Sequence, residues 1–212
     1  MNWSTICEAL RETLNAQNTA RDLAITQSRE LIRHCSLTIR AIHRRDWELA
    51  DSKLIAVREA AEKLKACVAD YPDLYYSGYT QDALKEVVEA FATYAMIRDY
   101  PLPTPESLGV EPATYLLGIA EAATELRRFI LDIMRRNAHH SQEAERLLDW
   151  MDTVYDELVT FDFPDALTGG LRRQTDVVRS VLERTRGDLT HSLRQQRLQD
   201  ALARFEQYID NE

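Results

Sequence analysis

The sequence predicts an all-α fold, a single domain of about seven helices over residues 1–212. Three observations carry that expectation. Glycine and proline number only six each among 212 residues, too few for the turn every ten residues or so that a sandwich or barrel needs. Apolar residues recur at three- and four-residue spacing through long stretches without a breaker, which is the period of an amphipathic helix. With 45% hydrophobic and 29% charged residues, the chain can fill a core of one-domain size, and disordered and collagen-like classes are excluded.

Between Trp3 and His43 the residues Leu23, Ile25, Leu31, Ile32, Cys35, Leu37, Ile39 and Ile42 follow helical spacing with no Gly or Pro between them. One very long helix, or two abutting ones, is expected. Asp46 has the short carboxylate of an N-cap and is placed before a second helix, Trp47 to about Ala69, which Pro72 ends. Beyond the aromatic stretch Tyr71 to Tyr79, Thr80 is the expected cap of a third helix, Gln81 to about Arg98. Pro101, Pro103 and Pro105 mark the main break, a loop too brief to separate domains. Pro112, at a favoured early-helix position, opens a fourth helix to Asn137. Ser141 or Gln142 opens a fifth, reaching Val159. Pro164 and Gly169–Gly170 punctuate the next turn. A helix to about Leu189 and a last one from His191 or Ser192 to Tyr208 complete the chain.

Composition bounds the function. The 26 basic and 35 acidic residues give a net charge of −9, which excludes a uniformly basic nucleic-acid binder but not a local basic patch. Only Lys53, Lys63, Lys65 and Lys85 are lysine. The arginine excess suits bidentate capture of phosphate or carboxylate, or simply follows from a GC-rich genome. Cys7, Cys35 and Cys67 are odd in number and form no CxxC pair, and read as buried free thiols in a reducing cytosol. No leader pattern opens the chain and no apolar run approaches eighteen residues, so a cytoplasmic protein without a membrane span is expected.

No serine, histidine or cysteine nucleophile motif is present. Gly169–Gly170 before Leu171-Arg172-Arg173 lacks the Gly-Lys that a phosphate loop requires. His139–His140 reads as a solvated turn, and His34 and His43 as ordinary helix residues. The carboxylates are more informative. Glu86 and Glu89 are three apart on the third helix, and Glu121 and Glu125 four apart on the fourth. At about 100° per residue each pair shares one helix face. Two such helices facing each other aim four carboxylates at one point, a cluster that persists only when a hard divalent cation neutralises it. Oxygen-only ligation selects Mg²⁺ or Mn²⁺ over zinc. The competing reading is a solvated stripe of Asp82, Glu86, Glu89 and Thr93. A di-iron bundle is excluded because no Glu-x-x-His occurs in the sequence.

The segment Tyr115-Leu-Leu-Gly-Ile-Ala-Glu-Ala-Ala-Thr-Glu-Leu-Arg127 resembles the signature helix of the translin family, in its trax (translin-associated factor X) form. Ala83-Leu-Lys-Glu-Val-Val-Glu-Ala90 resembles the trax stretch Gln-Glu-Tyr-Val-Glu-Ala. Ser28-Arg-Glu-Leu-Ile-Arg33, Ala41-Ile-His-Arg44, Val154-Tyr-Asp156 and Leu171-Arg-Arg-Gln-Thr-Asp-Val-Val178 agree in the same order, so the similarity runs from about Leu23 to Arg186. The resemblance implies a seven-helix subunit of prokaryotic or archaeal type that assembles into a barrel-like homo-octamer enclosing RNA. It further implies a Mg²⁺-dependent endoribonuclease acting on single-stranded RNA, with single-stranded DNA as a further ligand. The family's acidic ligands fall on Glu86, Glu89, Glu121 and Glu125, the residues that spacing selects. Glu121 replaces the family aspartate and moves its carboxylate by about 1 Å. Asp156 is expected behind the four, and Arg29, Arg33, Arg44, Arg127 and Arg128 are expected on phosphates. The excess negative charge is then expected on the outer face of a hollow assembly, with arginines turned inward. Two alternatives stand beside the nuclease: a non-catalytic translin-like shell that binds single-stranded RNA or DNA, and a cytosolic helical scaffold.

Overall fold

The structure is a computed structural model and describes residues 2–136 and 141–210; the expected turn at His139–His140 lies outside them. All regular structure among the described residues is helical, in nine elements of which three are single turns. By internal contacts the chain forms two compact units, residues 1–94 with 103–118 and residues 95–102 with 119–212.

The first unit begins with α1 (Trp3–His43). The Asn2 side chain accepts from the Thr5 N–H at 2.9 Å, and the helix then runs unbroken for 41 residues, since neither Gly nor Pro, the residues most costly to a helix, occurs in it. Only its second half is packed. Ala24, Ser28, Leu31, Cys35, Ile39 and Ile42 are buried at the three- and four-residue intervals that keep one face inward. A turn through Arg44, left-handed Arg45 (φ 59°) and Asp46 reverses the chain into α2 (Trp47–Val68). Asp46 Oδ1 accepts from the Leu49 N–H at 3.2 Å, the predicted cap. Leu54, Val57, Ala61, Leu64 and Val68 of α2 are buried, and α2 packs on α1.

A single turn, α3 (Pro72–Tyr75), precedes α4 (Gly78–Arg98). Here the structure differs from the sequence reading. Thr80 is not the cap but lies inside the first turn, fully buried, and its hydroxyl donates to the Leu74 carbonyl at 2.8 Å. The Ser77 carbonyl accepts the Gln81 N–H at 3.0 Å, so the helix opens three residues earlier than a Thr80 cap would place it. Among the three prolines, Thr104 caps the one-turn α5 (Pro105–Leu108), accepting from the Ser107 N–H at 3.2 Å. Gly109 ends α5 at φ 63°, a left-handed conformation that glycine adopts without steric cost. The first turns of α6 (Pro112–Arg136) close the unit. Thr114 donates to the Gln81 side chain at 2.6 Å, and the Tyr115 hydroxyl to the Pro103 carbonyl at 2.7 Å.

In the second unit α4 stops at Asp99, which takes φ 58°, and the Tyr100 N–H returns to the Ala95 carbonyl at 2.9 Å. Arg146 of α7 (Gln142–Leu158) completes this terminus. It donates to the Met96 and Ile97 carbonyls at 2.7 and 2.9 Å, satisfying acceptors that a helix end leaves open. The α7 residues Ala144, Leu147, Leu148, Met151 and Val154 are buried, and α7 packs on α9. The one-turn α8 (Asp165–Thr168) and Gly169–Gly170 (φ 58° and 91°) turn the chain into α9 (Leu171–Asp210). The expected break near His191 is absent. No proline lies in this 40-residue helix, and His and Ser cost too little helix propensity to interrupt it.

Candidate functional site

On α4, Glu86 and Glu89 present carboxylate oxygens within 4.8 Å of one another. Glu86 is half-buried, whereas Glu89 is only 8% exposed, although full burial of a carboxylate is rare. Cys35 of α1 senses both. Burial first, then the charges of Glu86 and Glu89, push its thiol far above the ordinary range, so this thiol stays protonated at neutral pH. The solvated-stripe reading fails here. Asp82 is exposed, but Thr93 is fully buried and Glu89 nearly so.

The packing that positions these groups depends on a residue the sequence reading passed over. Gly118 of α6 is buried against α4. A Cβ there would lie 2.5 Å from Val88 Cβ and 2.8 Å from the Lys85 carbonyl oxygen, closer than atoms tolerate. A lone glycine inside a strongly helical pattern was the available signal, since it costs helix stability unless close packing requires it. Val88 lies between Glu86 and Glu89 in the α4 sequence. Glu121 and Glu125 follow Gly118 at three and seven residues, which by helix register places them on the stripe of α6 that Gly118 begins. Both are half-buried.

The predicted phosphate-binding arginines divide into two kinds. Arg29, Arg33 and Arg44 are exposed, and Arg40, which the sequence reading did not select, shares their face by register. None of these four has an ion pair among the described residues. Arg128 is also exposed. Arg127 is committed elsewhere: it donates to the Thr185 hydroxyl at 3.1 Å and pairs with Asp188 at 2.9 Å, fastening α6 to α9. Asp156 is exposed on α7 and adds to the negative field around Arg186, whose main partner is Asp152. The cysteines are all free. Only Cys35 is buried; Cys7 and Cys67 are half-exposed, which corrects the expectation of three buried thiols. No helix among the described residues is long and apolar enough to cross a membrane.

No protein-family model matches the sequence. The chain is 32% identical over 193 residues to an uncharacterized protein, MJ0175, of Methanocaldococcus jannaschii, covering 90% of this chain and 84% of that one. Among solved structures it is similar to AfC3PO, at 34% identity and a TM-score of 0.80, covering 88% of this chain and 96% of the other. AfC3PO has also been solved in complex with duplex RNA, and that chain superposes at a TM-score of 0.79. Apo-NeC3PO shares the fold, with a TM-score of 0.78 at 22% identity.

Proposed function

The chain belongs to the translin family, and on that footing we propose that it is a trax-like, metal-dependent endoribonuclease that cleaves single-stranded RNA inside a hollow oligomer. The observation that carries the reading is the carboxylate pair of α4, two like charges within 4.8 Å with one of them buried. An all-oxygen anionic donor set of this kind suits a small hard cation, Mg²⁺ or Mn²⁺. In this reading Glu121 and Glu125 of α6 join Glu86 and Glu89 as ligands.

When bound, the cation supplies charge neutralisation at the scissile phosphodiester and makes water acidic enough to attack. The remaining work falls to the chain itself. The four carboxylates fix the cation, and one that is not fully engaged as a ligand accepts the proton of the attacking water. Buried Val87 and Val88 limit solvent beside the pair and strengthen its field. Arg29, Arg33, Arg40 and Arg44 offer exposed guanidinium groups to successive phosphates, and Arg128 a further one. Nothing in the chain resembles a base-reading module, so affinity rests on the backbone of the RNA and sequence preference is weak. The coarser part of the reading, a translin-type shell that binds RNA, draws support from AfC3PO with its duplex RNA. That complex also makes duplex RNA a necessary comparison substrate.

The test is incubation of purified protein with labelled single-stranded and duplex RNA in Mg²⁺. Cleavage abolished by EDTA and by Glu125→Ala supports the nuclease. RNA retained but uncut assigns the protein to the binding shell, and no retention leaves a helical scaffold.

A further inference from the structure

Between α2 and α4 the first unit holds an open cleft of about 790 Å³, within the roughly 300–1,000 Å³ of ordinary small-molecule sites. Its apolar lining is Leu54, Ile55 and Phe91, and its polar lining Arg58, Glu59, Glu62 and Lys63. Ile55 is 64% exposed, so the subunit leaves this apolar wall open. Phe91 follows Glu89 by two residues on α4, about 200° around the helix, which by register puts the cleft on the side of α4 away from that carboxylate. Charge is distributed unevenly around the opening. The Arg58 guanidinium carbon lies 5.2 Å from the Phe91 ring centroid, within cation–π range, and one of its N–H groups donates to the Ser107 carbonyl at 3.2 Å. Neither partner is an anion, so Arg58 keeps its charge uncompensated among the described residues and most of its N–H donors available. Glu62 is paired with Lys65 at 2.6 Å. Glu59 and Lys63 are exposed and have no ion pair among the described residues. Two cations, Arg58 and Lys63, therefore stand against one uncompensated carboxylate.

We infer that this cleft binds a small organic anion: a flat aromatic ring system seated on Ile55 and Phe91, with one carboxylate or comparable anionic group on Arg58 and Lys63. An apolar lining with a few placed polar groups is the composition of a small-molecule site. Arg58 is held in advance by Phe91 and Ser107, so little side-chain freedom is lost when an anion arrives. Guanidinium planes also stack on aromatic faces, which favours a flat ring over an aliphatic chain beside Arg58 and Phe91. A nucleic-acid strand is the poorer match. Its successive phosphates select a continuous basic surface, and Glu59 and Glu62 interrupt this one. The inference goes beyond the nuclease reading and does not depend on it, since neither the four site glutamates nor the α1 arginines line the cleft.

The test titrates the full-length chain with naphthoate by isothermal titration calorimetry, beside naphthalenemethanol, which has the same rings without the charge. Wild type is expected to bind naphthoate saturably at about 0.1 mM, and the alcohol about tenfold more weakly. Arg58→Gln is expected to abolish that difference, and Ile55→Ser to weaken both ligands several-fold. Both positions are exposed, and far-UV circular dichroism checks that each variant keeps its helices. No saturable binding overturns the inference. So does equal binding of acid and alcohol by the wild type, or binding that neither substitution changes, which moves the ligand to another exposed apolar surface. Displacement of naphthoate by single-stranded RNA assigns the cleft to the nucleic acid and overturns the inference too. RNA cleavage by a protein that binds no naphthoate leaves the nuclease reading standing, so the two fail separately.

Discussion

Replacing Gly118 by alanine tests how the two glutamate-bearing helices approach each other. The added methyl would sit 2.5 Å from Val88 Cβ, and 2.8 Å from both Val88 Cγ1 and the Lys85 carbonyl oxygen. Two of the three atoms are Cβ or backbone, which no rotamer change removes. Overpacking of this kind costs about 1–3 kcal/mol, and the rigid neighbours place this site near the upper end. Alanine recovers about 1 kcal/mol of helix propensity, leaving a net loss of about 2 kcal/mol. For a chain of this length, that lowers the melting temperature by about 4–8 °C. Gly187→Ala is the internal control. It lies within α9 with nothing within 4 Å of its added Cβ, so propensity acts alone and stability rises by up to about 1 kcal/mol. Urea and thermal denaturation of the three proteins measure both effects. A Gly118→Ala protein as stable as wild type, or stabilised like Gly187→Ala, refutes the close approach of α6 to α4.

Glu89→Gln removes the buried member's charge from the α4 pair. Mg²⁺ or Mn²⁺ at a hundredfold excess over its dissociation constant should stabilise the wild type by about 2.7 kcal/mol. The variant should lose most of that shift together with RNA cleavage, as a calcium-free thermal titration with EDTA as the zero point will measure. Arg33→Gln and Arg127→Gln should separate by type of defect. The first lowers the salt dependence of RNA binding by nearly one phosphate equivalent at unchanged stability. The second costs about 1–3 kcal/mol through the lost Thr185 and Asp188 contacts, with the salt slope kept. Tyr75 is a pH reporter. Burial first, then Glu111, raise its phenol pKa above the ordinary range, so the folded state holds this proton more tightly than the unfolded state does. That contribution is complete below about pH 10 and fades as pH rises past it. Stability measured from pH 9 to 11 should therefore fall less steeply in Tyr75→Phe.

Legibility varied with the range of the interaction involved. Asp46 as a cap, Pro112 as a helix start and the unbroken run from Trp3 to His43 follow from local chemistry, and the structure agrees at each. Thr80 misled because capping depends on which residue's carbonyl takes the first helical bond. The Leu74 carbonyl, reached across the turn, captured its hydroxyl instead. The break expected near His191 was a weak local signal in a segment with no proline, and helix continuity prevailed. Among the site residues, Glu86 and Glu89 were selected first by three-residue spacing and then by the family resemblance. That spacing could not distinguish a solvated stripe from a buried pair, since both have the same period.

The sequence by itself determined the all-α class, most long-helix starts, the shared faces of the glutamate pairs and the kinship with the translin family, because periodicity and motif order are properties of the chain read in line. Tertiary structure alone decided which charged groups were already spent. Arg127 and Arg33 are indistinguishable as letters, yet one is bonded to Thr185 and Asp188 and the other faces solvent. Tertiary structure also buried Glu89 beside Cys35 and made Gly118 a contact point. Burial and charge pairing arise between segments distant in sequence, and a carboxylate's energy depends on what surrounds it rather than on its neighbours along the chain.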